Sequence, residues 1–249
     1  LPLIRDGAIV RVGEPLGNFY GYVWDGIFQD SASAANSGQV GAVRGADRLR
    51  DINGRDANGS LTGQPDGKIT TDDRTILGNA QPKYTFGQNG SLGYRALTVS
   101  WVLRGVQGNE VVNLNKQGMV TPGGSSNMLR EVLNYWSPTN PTNTMTGLGV
   151  SPNSNMISRW VEDGSFVRLQ NVTLSWDVPS RLRTRVGMGQ LRLYASGQNL
   201  ATWTKYSWYD PEASSRLTSD RTISDMELGW DDSSYPGVRT VTLGLNVGF

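Results

Sequence analysis

The residues with the clearest chemical potential lie between positions 51 and 73. Joining Asp51-Ile52-Asn53-Gly54 to Asp66-Gly67-Lys68-Ile69-Thr70-Thr71-Asp72-Asp73 gives a twelve-residue loop with side-chain oxygens at positions 1, 3, 5 and 12 and glycine at position 6. This is the calcium-loop pattern of an EF-hand, in which hard oxygens surround the ion, glycine allows the sharp turn and position 7 offers its carbonyl. The ligands of a Ca2+ cofactor would be Asp51, Asn53, Asp66, the Lys68 carbonyl and Asp73. Two departures count against it: Arg55 to Pro65 interrupts the loop between positions 4 and 5, and position 12 is Asp, shorter than the usual chelating Glu. Asp56 and Asn58 in the insertion are substitute donors. The same composition also suits a solvated, turn-rich loop that holds no ion.

Other candidates are simpler. Trp203, Tyr206, Trp208 and Tyr209 are aromatic surfaces on which sugar rings could stack, or an interfacial girdle, or loop packing. The neighbours Glu162-Asp163 and Asp231-Asp232 diverge on a strand instead of converging as an acid and base. The chain contains no cysteine and no histidine, which removes thiolate metal sites, disulfides and Ser-His-Asp chemistry. No catalytic residue is expected. A net charge of +1 with scattered arginines gives no phosphate-binding run, so no nucleic-acid partner is expected either.

The elements that position these residues read as strands. The alternation is plainest at the end of the chain, where Val241, Leu243, Leu245, Val247 and the terminal Phe249 share one face and Thr240, Thr242, Gly244, Asn246 and Gly248 share the other. One apolar and one small or polar face suit a wall with hydrocarbon outside and water inside. A final aromatic on such a strand is a signal read by the barrel-assembly machinery of Gram-negative outer membranes. No apolar run approaches the roughly 20 residues of a membrane helix, so any crossing must be made by strands.

Seven strands are expected, over Leu3 to Val12, Phe19 to Phe28, Tyr84 to Tyr94, Leu97 to Val106, Phe166 to Val178, Leu191 to Leu200 and Arg239 to Phe249. In the fifth, Val167 and Leu169 share a face and Val172, Leu174, Trp176 and Val178 share another, which predicts a bulge near Gln170 and Asn171. The connections alternate: Gly13 to Asn18, Arg95 to Ala96 and Pro179 to Gln190 are short, whereas Gln29 to Lys83, Gln107 to Ser165 and Ala201 to Val238 are long. Tight periplasmic turns and long extracellular loops give barrels this asymmetry, and a periplasmic C-terminus puts every long connection outside. Helical spacing of Met128, Leu129, Val132, Leu133 and Trp136 predicts a short amphipathic helix in the second long loop.

Six motifs occur in order. They are Phe19 to Gln29 (FYGYVWDGIFQ), the Asp51 and Asp66 stretch ending in Asp72-Asp73-Arg74-Thr75-Ile76-Leu77-Gly78, Pro82 to Gly87 (PKYTFG), Trp160 to Leu174 (WVEDGSFVRLQNVTL), Gln198 to Tyr206 (QNLATWTKY) and Tyr209-Asp210-Pro211-Glu212. Together they resemble the C-terminal third of SusC/RagA-type TonB-dependent outer-membrane transporters, over nearly the whole chain. The resemblance implies an all-β fold: residues 1–249 as the C-terminal portion of an antiparallel transmembrane β-barrel, with the plug domain and N-terminal strands outside this chain. It further implies TonB-dependent import of oligosaccharides or peptides across the outer membrane. The implied partners are a SusD-like surface lipoprotein, TonB acting through an absent N-terminal region, and outer-membrane lipids. The competing expectation is a calcium-stabilised extracellular β-rich domain for binding or adhesion.

Overall fold

The computed structural model describes residues 2–5, 7–121, 127–150, 153–212 and 228–249. Their strands are β1 (Leu3–Arg5), β2 (Ala8–Val10), β3 (Asn18–Gly21), β4 (Trp24–Ile27), β5 (Asp47–Leu49), β6 (Thr75–Asn79) and β7 (Tyr84–Tyr94). After these come β8 (Leu97–Gln107), β9 (Glu110–Asn113), β10 (Val161–Asp163), β11 (Phe166–Asp177), β12 (Gln190–Thr204), β13 (Trp230–Asp231) and β14 (Thr240–Gly248). Helices are short, at α1 (Ser31–Ala35), α2 (Leu114–Met119) and α3 (Ser180–Arg183). The fold is all-β, and it divides into two compact units.

One unit, residues 82–109, 163–211 and 235–249, is built on a five-stranded sheet in the order β14-β12-β11-β8-β7, with all neighbours antiparallel. Register carries the alternation from strand to strand. Leu243 lies opposite Ala195, Ala195 opposite Leu174, Leu174 opposite Val99 and Val99 opposite Leu92, so one apolar row crosses the sheet. The next row out of phase is Thr242, Ser196, Thr173, Ser100 and Ser91. A slip of one residue in any strand would mix the two faces.

The bulge falls where the change of phase places it. Register shifts between Leu169 and Asn171 against both β8 and β12. Beyond the shift Leu169 faces Leu103 and Ala201, and Val167 faces Gly105 and Trp203, so the extra residue returns the apolar side chains of β11 to the apolar face. Asn199, at φ 52°, marks the matching irregularity in β12. The β7–β8 turn is the two residues Arg95 and Ala96, with Arg95 at φ 54°, in keeping with the left-handed geometry that tight hairpins favour.

The other unit comprises residues 1–81, 110–162 and 212–234, and it changes two expectations. The strand expected over Leu3 to Val12 is a short hairpin of β1 and β2, turned at Gly7 with φ 96°. The strand expected over Phe19 to Phe28 is divided. β3 pairs with β6, β4 pairs with β5, and between them Tyr22 bridges to Ile157. Among the described residues the long strands are therefore five, not seven. The reason is burial on both sides: Phe19, Tyr22, Ile27 and Phe28 are all buried, so these segments thread a core and do not form a two-faced wall. Gly21 lies directly against the Met156 carbonyl, where any Cβ would collide.

The long connections are not structureless. Phe19, Tyr22, Leu49, Val112, Val132, Met145, Ile157, Trp160 and Trp230 form one core, and β9 pairs in parallel with β13 from the far end of the chain. The helix expected around Met128 to Trp136 is a single 3-10 turn over Arg130–Asn134. Val132 is buried there and Leu133 exposed, while Trp136 bridges to Gly147, which ends the helical path.

Candidate membrane wall and loop sites

The apolar face of the five-stranded sheet is the largest candidate surface. Val241, Leu243, Leu245 and Val247 all lie on it, with Leu243 78% exposed, and the C-terminal Phe249 is 98% exposed. The row through Leu245 continues as Leu193, Trp176, Leu97 and Tyr94. An exposed apolar patch this wide has no place against water and suits lipid. Polar atoms on this face satisfy one another: Trp101 Nε1 donates to Gln88 Oε1 at 2.9 Å. The same indole covers Gly90 so closely that a Cβ there would come within 2.5 Å of the ring. Strands of nine to fifteen residues meet or exceed the 9–11 that a tilted crossing needs.

The opposite face is hydrogen-bonded and charged. Thr173 Oγ1 donates to Ser196 Oγ at 3.1 Å, and Arg192 makes two bonds to the Asp177 carboxylate, at 2.6 and 3.0 Å. Towards the ends of β11 and β12 the buried guanidinium of Arg168 donates to Asp210 at 2.6 Å and to Thr202 Oγ1 at 3.0 Å, and lies 5.0 Å from the Phe166 ring centre. The second oxygen of Asp210 accepts the Gly237 N–H at 3.1 Å. Both ends of the connection between β12 and β14 are thereby fixed to one arginine of the wall. Each partner lies in a motif singled out in the sequence, yet their separation of 42 residues gave no sign of the pairing.

The four aromatic candidates are not equivalent. Trp203 is exposed, but its register opposite Val167 puts it on the apolar face, the position of a girdle residue. Tyr206 is 5% exposed, which leaves no ring face for stacking. Trp208 and Tyr209 pack edge to face with centres 5.0 Å apart, and Tyr209 is exposed. Of the four, Tyr209 with the edge of Trp208 presents an aromatic surface free of the apolar face.

Asp51, Asn53, Asp66, Lys68 and Asp73 fall in one loop, but their side chains are turned to backbone donors. Asp73, fully buried, accepts the N–H groups of Ile52 at 2.8 Å, Asn53 at 3.1 Å and Thr70 at 2.8 Å. Asp51 accepts from Asp66 and Gly67, Asp66 from Lys68, and Asn53 from Gly63. Arg55 grips Asp72 through two 2.6 Å bonds, and that hydrogen bonding holds the half-buried Asp72 carboxyl below its ordinary range. Among the described residues no three acidic side chains gather around a common point. In this geometry the side-chain oxygens of the expected ligand set face backbone N–H groups. The oxygens order a turn-rich loop, the other reading of the same pattern.

In the same unit Asp47 and Arg159 form a buried ion pair at 2.9 Å. Trp24 Nε1 donates to the same carboxylate oxygen at 2.9 Å, and the guanidinium stacks on Trp160 at 4.7 Å and Trp24 at 5.2 Å. Asp47 and Arg159 are 112 residues apart, and their contact holds the first long connection to the second.

No protein-family model matches the chain. TonB-dependent receptor P3 of Formosa agariphila is 35% identical over 251 residues, covering 99% of this chain and 23% of that protein. TonB-dependent receptor SusC of Bacteroides thetaiotaomicron is 28% identical over 189 residues, 74% of this chain and 17% of that protein. The chain belongs to the SusC/RagA-type TonB-dependent receptors. Its fold agrees with the solved RagAB peptide transporter, at TM-score 0.73 and 22% identity over 99% of this chain and 24% of that one. This SusC/RagA-type chain spans about a quarter of the length of the relatives it matches. Those relatives are named as receptors and a transporter, in line with the expectation that this chain is not an enzyme.

Proposed function

We propose that residues 1–249 are the C-terminal part of the β-barrel of an outer-membrane, TonB-dependent importer that takes up oligosaccharides or peptides. The observation that carries this reading is the register of the five long strands, which gathers their apolar side chains on one continuous exposed face. Lipid would cover that face, and the polar face with Arg168, Arg192 and Asp177 would line the interior. β7 and β14 are the two edges of the sheet, and an open edge in lipid leaves backbone groups unsatisfied. The remaining strands and the plug would come from the rest of a longer polypeptide.

In this reading the C-terminus lies in the periplasm and the β7–β8 and β11–β12 turns face the same side. The connections between β8 and β11 and between β12 and β14 are then extracellular, where a SusD-like lipoprotein would seat. TonB would act on a region outside this chain. The barrel-assembly machinery would read β14 and Phe249.

The test is Leu243→Lys with Leu245→Lys in the full-length protein. Lysine near the bilayer midplane costs about 2–4 kcal/mol per site. Outer-membrane fractionation should show the double variant lost from the membrane. Normal membrane assembly of that variant would contradict the assigned lipid face, and recovery of the wild-type protein in a detergent-free soluble fraction would favour the β-rich binding domain instead.

A further inference from the structure

The unit formed by residues 1–81, 110–162 and 212–234 contains a cleft of about 440 Å³, within the range of small-ligand sites. Its wall includes Tyr20, Tyr22, Arg74, Gln117, Trp160 and Trp230. No described lining residue is acidic. Arg74 sits half-buried over the Tyr22 ring, with its guanidinium carbon 5.2 Å from the ring centre. Apart from that ring contact its side chain has no hydrogen bond and no ion pair among the described residues.

That sets Arg74 apart from Arg48, Arg55, Arg159, Arg168 and Arg192, each of which meets a carboxylate. Two large rings, Trp160 and Trp230, 6% and 3% exposed, stand in its wall, and among the described residues their buried indole N–H groups have no hydrogen-bond partner. Lying over Tyr22, the guanidinium offers N–H donors whose fork geometry matches a planar, two-oxygen anion.

We infer that this cleft is a carboxylate subsite, in which Arg74, packed over Tyr22, is the charged contact. The ligand is a small oligomer that bears a carboxylate, such as a uronic-acid oligosaccharide, and an acidic peptide is the other source of the same group. The inference rests on the importer reading for the ligand's route across the membrane, and on the cleft alone for binding.

The test uses full-length protein purified in detergent and four probes: a galacturonic acid trimer, a galactose trimer, an acidic tripeptide and its amidated counterpart. Calorimetry should show that one acidic probe binds at least tenfold more tightly than its neutral partner, with affinity falling as salt rises. Arg74→Gln should remove about tenfold or more of that preference, and Arg74→Lys should restore part of it. Thermal melting of each variant checks that it is folded, and the wild-type comparison of acidic with neutral probes needs no variant. Response to the uronate identifies a saccharide source, and response to the tripeptide alone identifies a peptide source. Equal binding of acidic and neutral probes, or an acidic preference unchanged in a folded Arg74→Gln protein, overturns the inference. Loss of uptake or of membrane insertion with this binding intact would count against the importer reading and leave the subsite standing.

Discussion

The wall and the loop unit solve the same problem of burying apolar side chains in opposite ways. In the five-stranded sheet each strand repeats with a period of two, neighbours pair antiparallel, and the apolar face is left outward. In the other unit the apolar residues point inward to a core assembled from segments far apart in sequence, such as those of Phe19 and Tyr22, Val112, and Ile157. The lesson is that the wall is held by local register and its surroundings, whereas the loop unit is held by a few long-range contacts. A lesion that harms one should spare the other.

The largest effect is expected from the face of the sheet. Leu243→Lys with Leu245→Lys should abolish membrane assembly, whereas Thr242→Lys, one residue away on the polar face, should assemble normally. Equal failure of both would break the distinction between the faces.

Next come the two buried ion pairs, one in each unit. Arg168→Ala leaves Asp210 without its guanidinium, and Asp47→Ala leaves Arg159 buried without its carboxylate, each at a cost of about 3–5 kcal/mol. The Asp47 variant should become sensitive to limited proteolysis in the long connections while its barrel keeps heat-modifiable migration on gels. The Arg168 variant should lower the unfolding midpoint of the wall itself. If Asp47→Ala destabilised the wall as much as Arg168→Ala, the two regions would not be independently held.

A smaller effect is expected in the Asp51 to Asp73 loop. Asp73→Ala removes the acceptor of three backbone N–H groups and should cost about 1–3 kcal/mol of local stability, read as faster hydrogen exchange at Ile52, Asn53 and Thr70. Because the carboxylates are occupied by backbone donors, adding Ca2+ after chelation should leave the melting temperature unchanged. A saturable rise would mean that the loop rearranges around an ion.

The smallest concerns Asp72. Its hydrogen bond from Arg55 lowers the folded pKa, so the pair's contribution is present above the unfolded carboxylate value near 3.9 and is lost as pH falls through the depressed folded value. Arg55 is exposed and Asp72 half-buried, so solvent screens the pair and the contribution is slight. Arg55→Gln should raise the Asp72 titration midpoint in a carboxyl-carbon NMR titration. An unchanged midpoint would show that the pair does not form in solution.

The same contrast explains how much could be read from the chain. β7, β8, β11, β12 and β14 were legible because a two-faced strand writes its period directly into the sequence. The bulge was legible because Leu169 and Val172 are out of phase. Phe19 to Phe28 was read as one strand because its aromatics alternate, but a segment buried on both sides carries no face, and its pairing depends on Thr75–Asn79, Asp47–Leu49 and Ile157. The pairs Arg168 with Asp210 and Asp47 with Arg159 have no periodic signature. Asp51, Asn53, Asp66 and Asp73 were visible as oxygen donors, but the spacing that surrounds an ion is also the spacing that caps a turn. Arg74 passed unnoticed as a candidate because its lack of a partner appears only in three dimensions.

The central claim is that alternate residues of β14 face lipid and water. Residues 1–249 hold no cysteine, so single cysteines at Leu243 and Thr242 in a full-length protein with any other cysteine replaced, carrying spin labels in reconstituted bilayers, report each face separately. The account predicts that the label at 243 is relaxed mainly by lipid-soluble oxygen and the label at 242 mainly by a water-soluble nickel chelate. Equal accessibility at both positions, or the reverse order, would contradict it.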